Sequence, residues 1–220
     1  MNGLGWQIKG KVADWLVTNA SSGLEQLLEL LLVAAVGKWS TSGYSSFDHT
    51  ENSLTVRLFA HCLEVGRARQ FALLSVSWEA PFPSQEILDG LTAPAQSGRP
   101  DMTVRVGNGR HIHIEAKRLD GTATLSKQYV TQGMKRFWDH YYAGHPGVML
   151  AYLQGINHGS AVQGVNSELV AEYSQMNSIV PGSSAGHSLL SSPQGLAGDL
   201  AKSRSTHPGE VVIEHYALQV

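Results

Sequence analysis

The feature that most restricts the fold of this chain is residues 99–118, which have the pattern of a β-hairpin. Two β-rich runs, Met102–Val106 and His111–Lys117, flank the tripeptide Gly107-Asn108-Gly109. Glycine and asparagine tolerate the left-handed backbone of a tight turn, so this spacing predicts two antiparallel strands. Because strand side chains alternate between faces, His113, Glu115 and Lys117 are predicted to share one side of the second strand.

The length of the turn decides where Asp101, just before the first strand, lies. A two-residue Asn-Gly turn would place Asp101 opposite Ala116, with its side chain on the wrong face. A three-residue loop over 107–109, with a bulge at its end, would place Asp101 opposite Glu115. We favour the second register because it brings two carboxylates close to the ammonium group of Lys117.

These side chains suit a magnesium site. Carboxylates and backbone carbonyls are the hard oxygen ligands that Mg²⁺ prefers, and Mg²⁺ usually keeps several water ligands as well. Asp101, Glu115 and the Ala116 carbonyl are the candidate ligands. Lys117 can orient an attacking water molecule or stabilise charge that develops on a phosphate.

The order Pro100-Asp101, thirteen intervening residues, then Glu115-Ala116-Lys117 resembles the signature of the restriction-endonuclease-like PD-(D/E)XK nucleases. The resemblance implies a Mg²⁺-dependent deoxyribonuclease, with Mn²⁺ as a substitute and Asp101, Glu115 and Lys117 as catalytic residues. Members of this family often carry an acid on a helix before the core strands, and Glu51 is the matching position. Glu51 is equally well explained as a first-turn acid that the helix dipole stabilises.

The predicted order of elements also agrees with that family. Apolar periodicity and turn residues predict the order helix, strand, hairpin, helix, strand, helix, strand, which is similar to the αβββαβ core of that family with a fifth strand at the edge. The resemblance implies a three-layer α/β/α sandwich whose central mixed sheet has about five strands. Residues 1–50 are expected to form a helical extension and residues 51–220 the nuclease-like domain. The predicted helices are Leu24–Val36, Glu51–Val65, Leu125–Tyr142 and Ser160–Met176. Outside the hairpin the predicted strands are Phe71–Ala80, Gly147–Gln154 and Glu210–Val220, and 181–209 is expected to be a long loop.

The distribution of charge is compatible with DNA as the partner. The whole chain has a formal charge of −2, yet residues 99–136 contain eight basic residues and three acids. A basic segment around an acidic pair suits phosphate recognition beside a metal. The candidate DNA-binding residues are Arg99, Arg118, Lys127, Gln128, Gln132, Lys135 and Arg136.

The chain is expected to be cytoplasmic. Cys62 is the single cysteine, which excludes an internal disulfide framework and fits a reducing compartment. The N-terminal residues lack the pattern of a signal peptide, and the apolar run at 27–36 is too short to span a bilayer. Restriction, phage defence and DNA repair are all compatible with these features.

A second function class remains open, namely a catalytically silent nuclease-fold subunit that binds DNA or acts as a scaffold. The apolar stripe of helix 24–36 predicts a core helix, and Leu30 and Val33 add apolar surface outside that stripe. This surplus could be buried in a homodimer or against a partner protein. Alternatively, residues 1–15, with Trp6 and Trp15, could cover it within the same chain.

Overall fold

The computed structural model of the chain describes residues 23–42, 49–79, 99–106, 110–138, 142, 147–209 and 211–220. Within these ranges the fold is α/β, with a mixed sheet of seven strands in the order β1-β2-β3-β4-β7-β6-β5. The strands are β1 Leu74–Trp78, β2 Met102–Val106, β3 Arg110–Leu119, β4 Gly147–Leu153, β5 Gln194–Ala197, β6 Leu200–His207 and β7 Val211–Gln219. The α-helices are α1 Gly23–Ser42, α2 Glu51–Val65, α3 Ala123–Gln128, α4 Lys135–Trp138 and α5 His158–Ile179.

The predicted register of the central hairpin is confirmed. β2 and β3 are antiparallel, Val106 pairs with Arg110 and Met102 pairs with Ile114, so three residues connect the strands. Continuing this register by one residue places Asp101 opposite Glu115. The connecting residues 107–109 lie outside the described part of the chain.

The two faces of the sheet carry separate hydrophobic clusters. Alternate residues of β4 belong to different clusters, because neighbouring side chains of a strand point to opposite faces. Leu150 packs with residues of α1 and α2 such as Leu31 and Leu58, whereas Met149 packs with Phe137 of α4 and with residues of α5. All seven residues of β4 are buried, as predicted for a central strand covered on both sides.

The strand that follows the hairpin and its helix, β4, runs parallel to β3, as predicted from the strand–helix–strand order. The terminal strand β7 was predicted at the edge of the sheet but lies between β4 and β6. β3 pairs in parallel with β4, and β4 pairs in parallel with β7. The intervening helical unit is continuous over 123–138, with a π-helical segment at Tyr129–Met134 between α3 and α4. The end of the helix predicted for 125–142 falls partly outside the described residues.

The sheet has seven strands rather than about five, because the region predicted as a loop, 181–209, contains β5 and β6. β6 is antiparallel to β7 and β5 is antiparallel to β6. The serine content of β6 concealed this strand, since Ser203 and Ser205 point inward and are buried. Residues 181–193 lie outside regular helices and strands.

The first helix is longer than predicted. The predicted helix ends at Val36, before Gly37, but α1 continues to Ser42. Gly37 is exposed, and a Cβ atom at this position would have no neighbour within 4 Å. No close contact therefore requires a glycine here. Two residues later the buried side chain of Trp39 packs in the same cluster as Leu31, and this burial stabilises the extra turn.

The second helix has the predicted limits. Thr50 caps α2 by accepting a hydrogen bond from the Ser53 amide, 3.4 Å away. The strand predicted for 71–80 is shorter, because Phe71 lies in a 3₁₀ turn before β1. The division into an extension over 1–50 and a domain over 51–220 stays a prediction. No helix among the described residues is both long and apolar enough to cross a membrane.

Two adjacent leucines of α1 provide a test of this packing. Leu31 is fully buried, whereas Leu30 is 54% exposed. We expect Leu31→Ala to lower the free energy of unfolding by about 3 kcal/mol, because the substitution leaves a cavity in the core. The matched variant Leu30→Ala should change it by less than about 0.5 kcal/mol. Urea unfolding followed by circular dichroism measures both, and equal losses would contradict the assigned face of α1.

Candidate active site

Asp101 lies against the second strand of the hairpin. Its carboxylate Oδ2 accepts a hydrogen bond from the Ala116 amide at 2.6 Å. The Asp101 carbonyl accepts a second hydrogen bond, from the amide of Glu79 just after β1. The backbone and the side chain of Asp101 are therefore both held at this end of the sheet.

Lys117 connects the hairpin to helix α2. Its Nζ donates to the Ala116 carbonyl and to Glu51 Oε1, each at 2.7 Å. Only 12% of the Lys117 side chain is exposed, which limits the screening of this ion pair by water. Glu51 is the first residue of α2, so the helix start brings this carboxylate to the predicted site. Direct contact between Glu51 and a metal stays a prediction.

Glu115 is fully buried, and both of its carboxylate oxygens accept hydrogen bonds. Tyr142 donates its hydroxyl to Oε1 at 2.6 Å, and Arg136 donates from its guanidinium to Oε2 at 2.7 Å. Burial and, after it, the negative charge of Asp101 together raise the pKa of Glu115 to about 7, although Arg136 and Tyr142 act in the opposite direction.

Tyr142 is a site residue that the sequence analysis missed. Its ring lies 4.6 Å from the His113 ring and 5.3 Å from the Phe137 ring, measured between centroids. Burial, followed by the charge of Glu115, raises the pKa of the Tyr142 hydroxyl, so this group is a donor at neutral pH. Tyr142 and Glu115 are 27 positions apart, and no local pattern in the sequence connects them.

The candidate DNA-binding residues have different surroundings. Arg136 is bound to Glu115, although 37% of its side chain is exposed, and Lys135 forms an ion pair with Glu172 of α5 at 2.7 Å. Two predicted positions are only partly accessible, Gln128 and Arg118. The predicted positions with exposed side chains are Arg99, Lys127 and Gln132.

The donor set fits Mg²⁺ by its chemistry. Asp101, Glu115 and the Ala116 carbonyl supply hard oxygens at neighbouring positions, and Lys117 and Arg136 neutralise charge there. Across the described residues, no three His, Cys, Asp or Glu side chains gather closely enough to hold a metal ion. A Mg²⁺ ion at this site would thus depend on two carboxylates, one carbonyl and water, a set that this ion accepts.

Comparisons of the chain with protein-family models, with curated proteins and with solved structures give no match. Function is therefore inferred from the residues and their geometry.

Proposed function

We propose that this chain is a Mg²⁺-dependent nuclease that hydrolyses phosphodiester bonds of DNA. One observation carries the proposal, namely the hairpin register that sets Asp101 opposite Glu115 beside the Lys117–Glu51 ion pair. Two carboxylates can hold a metal ion that polarises a phosphate, and a lysine beside them can orient water or stabilise developing charge.

We also propose the restriction-endonuclease-like architecture, a three-layer α/β/α sandwich with an αβββαβ core. Its support is the packing of α1 and α2 in one hydrophobic cluster and of α4 and α5 in the other. In this assignment β5 and β6 extend the sheet beyond the core.

The reaction assigns separate roles to the site residues. Asp101, Glu115 and the Ala116 carbonyl would hold Mg²⁺, which polarises the phosphate and supplies positive charge at the reacting centre. The Lys117 ammonium is placed to orient water or to stabilise the charge that develops on the phosphate. Lys117 now donates to the Ala116 carbonyl, and Arg136 donates to Glu115. Metal binding therefore requires these oxygens to share their lone pairs or to lose these contacts.

One observation favours the alternative, a catalytically silent subunit that binds DNA or acts as a scaffold. Glu115 has no exposed surface, and a phenol and a guanidinium already bind its two oxygens. In the alternative, Arg136 takes the place of the metal and holds the buried carboxylate permanently.

The two functions differ in metal binding and in DNA cleavage. For the nuclease, we expect calorimetry to detect Mg²⁺ or Mn²⁺ binding, and supercoiled plasmid to be nicked or cut only when one of these ions is present. EDTA should stop the reaction. Absence of both metal binding and cleavage, with retained DNA binding or a stable protein partner, would favour the scaffold instead.

Self-association through helix 24–36 also stays a proposal. In that helix Leu30 is exposed, whereas Val33 is partly buried against the core. The exposed apolar surface outside the core-facing stripe is therefore smaller than the sequence alone predicted. The alternative cover, residues 1–15, lies outside the described residues.

A further inference from the structure

Five polar side chains form a continuous hydrogen-bonded chain at the other side of β4 from the hairpin. His187 Nδ1 lies 2.9 Å from His207 Nδ1, and Ser205 Oγ lies 2.8 Å from both His207 Nε2 and His215 Nε2. The chain ends at the Tyr129 hydroxyl, 2.9 Å from His215 Nδ1. We call these five residues the histidine relay.

The histidine relay runs from an accessible end into the interior. His187 is partly exposed, whereas the other four side chains are each no more than 3% exposed. The Trp138 ring covers His207 at 4.2 Å and His187 at 5.3 Å between centroids. Because Ser205 is buried, no substrate can reach its hydroxyl. Ser205 is therefore not the nucleophile of a hydrolase.

Each contact of the relay requires one hydrogen atom, and a neutral imidazole carries only one. In the first arrangement, His187 donates to His207, His207 donates to Ser205, Ser205 donates to His215 and His215 donates to Tyr129. In the second arrangement, every one of these four hydrogen bonds is reversed, and the Tyr129 hydroxyl donates to His215. Each arrangement gives every contact a donor and an acceptor.

Mixed arrangements are less favourable. If His207 and His215 both donate to Ser205, the serine proton has no partner within the relay. The serine has a single proton, so it cannot donate to both rings. The uniform direction that ends on Tyr129 also leaves one hydroxyl proton without a partner in the relay, so this count alone does not separate uniform from mixed arrangements. In a uniform chain each inner group both donates and accepts, and neighbouring hydrogen bonds polarise and strengthen one another; the five groups are therefore expected to change direction together.

We propose that the histidine relay is a pH-sensitive switch in which protonation of His187 selects the direction that ends with donation to Tyr129. A protonated His187 can only donate through Nδ1, so His207 must accept there and carry its proton on Nε2. Ser205 then donates to His215, and His215 donates to Tyr129. The Tyr129 hydroxyl then accepts from His215, and its own proton has no partner within the relay.

The inner rings transmit this change without becoming charged. Burial, together with a smaller effect of the neighbouring histidine, lowers the pKa of His207 to about 3 and that of His215 to about 3. Among the described residues, the titratable side chains that face the relay include Tyr129 of the π-helical segment and Tyr173 of α5, whose ring lies 5.0 Å from His187. On the adjacent helices, Lys135 and Glu172 form an ion pair at 2.7 Å.

The inner end of the relay, Tyr129, belongs to a helical segment that packs against the candidate site. Tyr129 is the first residue of the π-helical segment, which also contains Gly133. A Cβ atom at Gly133 would lie 3.6 Å from Cγ of Lys117. The relay therefore runs from a partly exposed histidine to the helical segment beside Lys117. The proposed switch does not depend on the reaction proposed above.

Histidine tautomers measured by long-range ¹H–¹⁵N NMR on the ¹⁵N-histidine-labelled full chain test the switch. At pH 8 we expect His207 and His215 to be opposite tautomers. Once His187 is protonated, His207 should carry its proton on Nε2 and His215 on Nδ1. The same tautomer in both rings at pH 8, or any other pair of tautomers when His187 is charged, would overturn the proposal.

Two serine-to-alanine variants on β6 distinguish the loss of the relay from the general effect of removing a buried hydroxyl. In Ser205→Ala the relay is cut, so the tautomer of His215 should no longer depend on the charge of His187. The matched control Ser203→Ala removes a buried hydroxyl from the same strand and face, and should retain the response. A response that survives Ser205→Ala would overturn the proposal. If that variant fails to fold, the tautomers of the unmodified chain still decide the question.

Discussion

Lys117→Met and Asp101→Asn are each expected to reduce DNA cleavage by about 10²- to 10³-fold, since removal of one preorganised electrostatic group typically costs that much. Lys117→Met removes the ammonium that lies 2.7 Å from the Ala116 carbonyl. Asp101→Asn removes a charge but keeps an oxygen that can accept the Ala116 amide hydrogen, so the backbone contact can persist. Single-turnover cleavage of a labelled duplex in excess enzyme measures the rate.

Two charge-removing variants away from the site serve as controls. Lys38→Met removes a lysine whose partner is Glu64, and both side chains are substantially exposed. Glu64→Gln removes the carboxylate of the same exposed pair. Both controls should cleave DNA at the original rate, and all four variants should unfold cooperatively. Cleavage at the original rate by Lys117→Met and Asp101→Asn would disprove the assigned nuclease site.

Acidification is expected to destabilise the fold through His207 and His215. Both rings are neutral in the folded chain with pKa values of about 3, whereas an unfolded histidine titrates near 6.5. The unfolded chain therefore binds more protons between these values, and stability falls as pH falls from 6.5 towards 3. At pH 5 the loss is about 2 kcal/mol for each ring, at 1.36 kcal/mol per pKa unit.

Glu115 has the opposite influence over part of this range. Its pKa is about 7 in the folded chain against 4.5 for the ordinary side chain. The folded chain binds that proton more tightly, so the Glu115 contribution favours folding below pH 4.5 and is lost as pH rises through 7. The histidine effect must therefore be isolated by comparison with a variant.

His215→Gln isolates the contribution of one ring. Urea unfolding measures the difference in free energy of unfolding between this variant and the unmodified chain. This difference should shrink by about 2 kcal/mol as pH falls from 8 to 5. The control Leu218→Ala, on the same strand β7 and equally buried, should lose a similar amount of stability at both pH values. A constant difference between His215→Gln and the unmodified chain would show that His215 is not held neutral by burial.

The sequence by itself determined the elements whose signal is local. The limits of α2, the inward stripe of α1 and the buried strand β4 follow from apolar periodicity and capping residues. The hairpin register was predicted from the turn composition together with the chemistry that each register would produce. These features depend on residues within a few positions of each other, so their cause is visible in the sequence.

Only the tertiary structure decided which groups surround the predicted site residues. Glu115 meets Tyr142, and Tyr129 meets His215 across 86 positions, because separate strands and helices bring them together. β6 was hidden because its inward side chains are polar. The Ser205 hydroxyl is satisfied by His207 on the same strand and by His215 on β7, so a strand with inward serines looks like a loop until these contacts are known. Burial and long-range hydrogen bonds depend on the packed chain, and no local pattern encodes them.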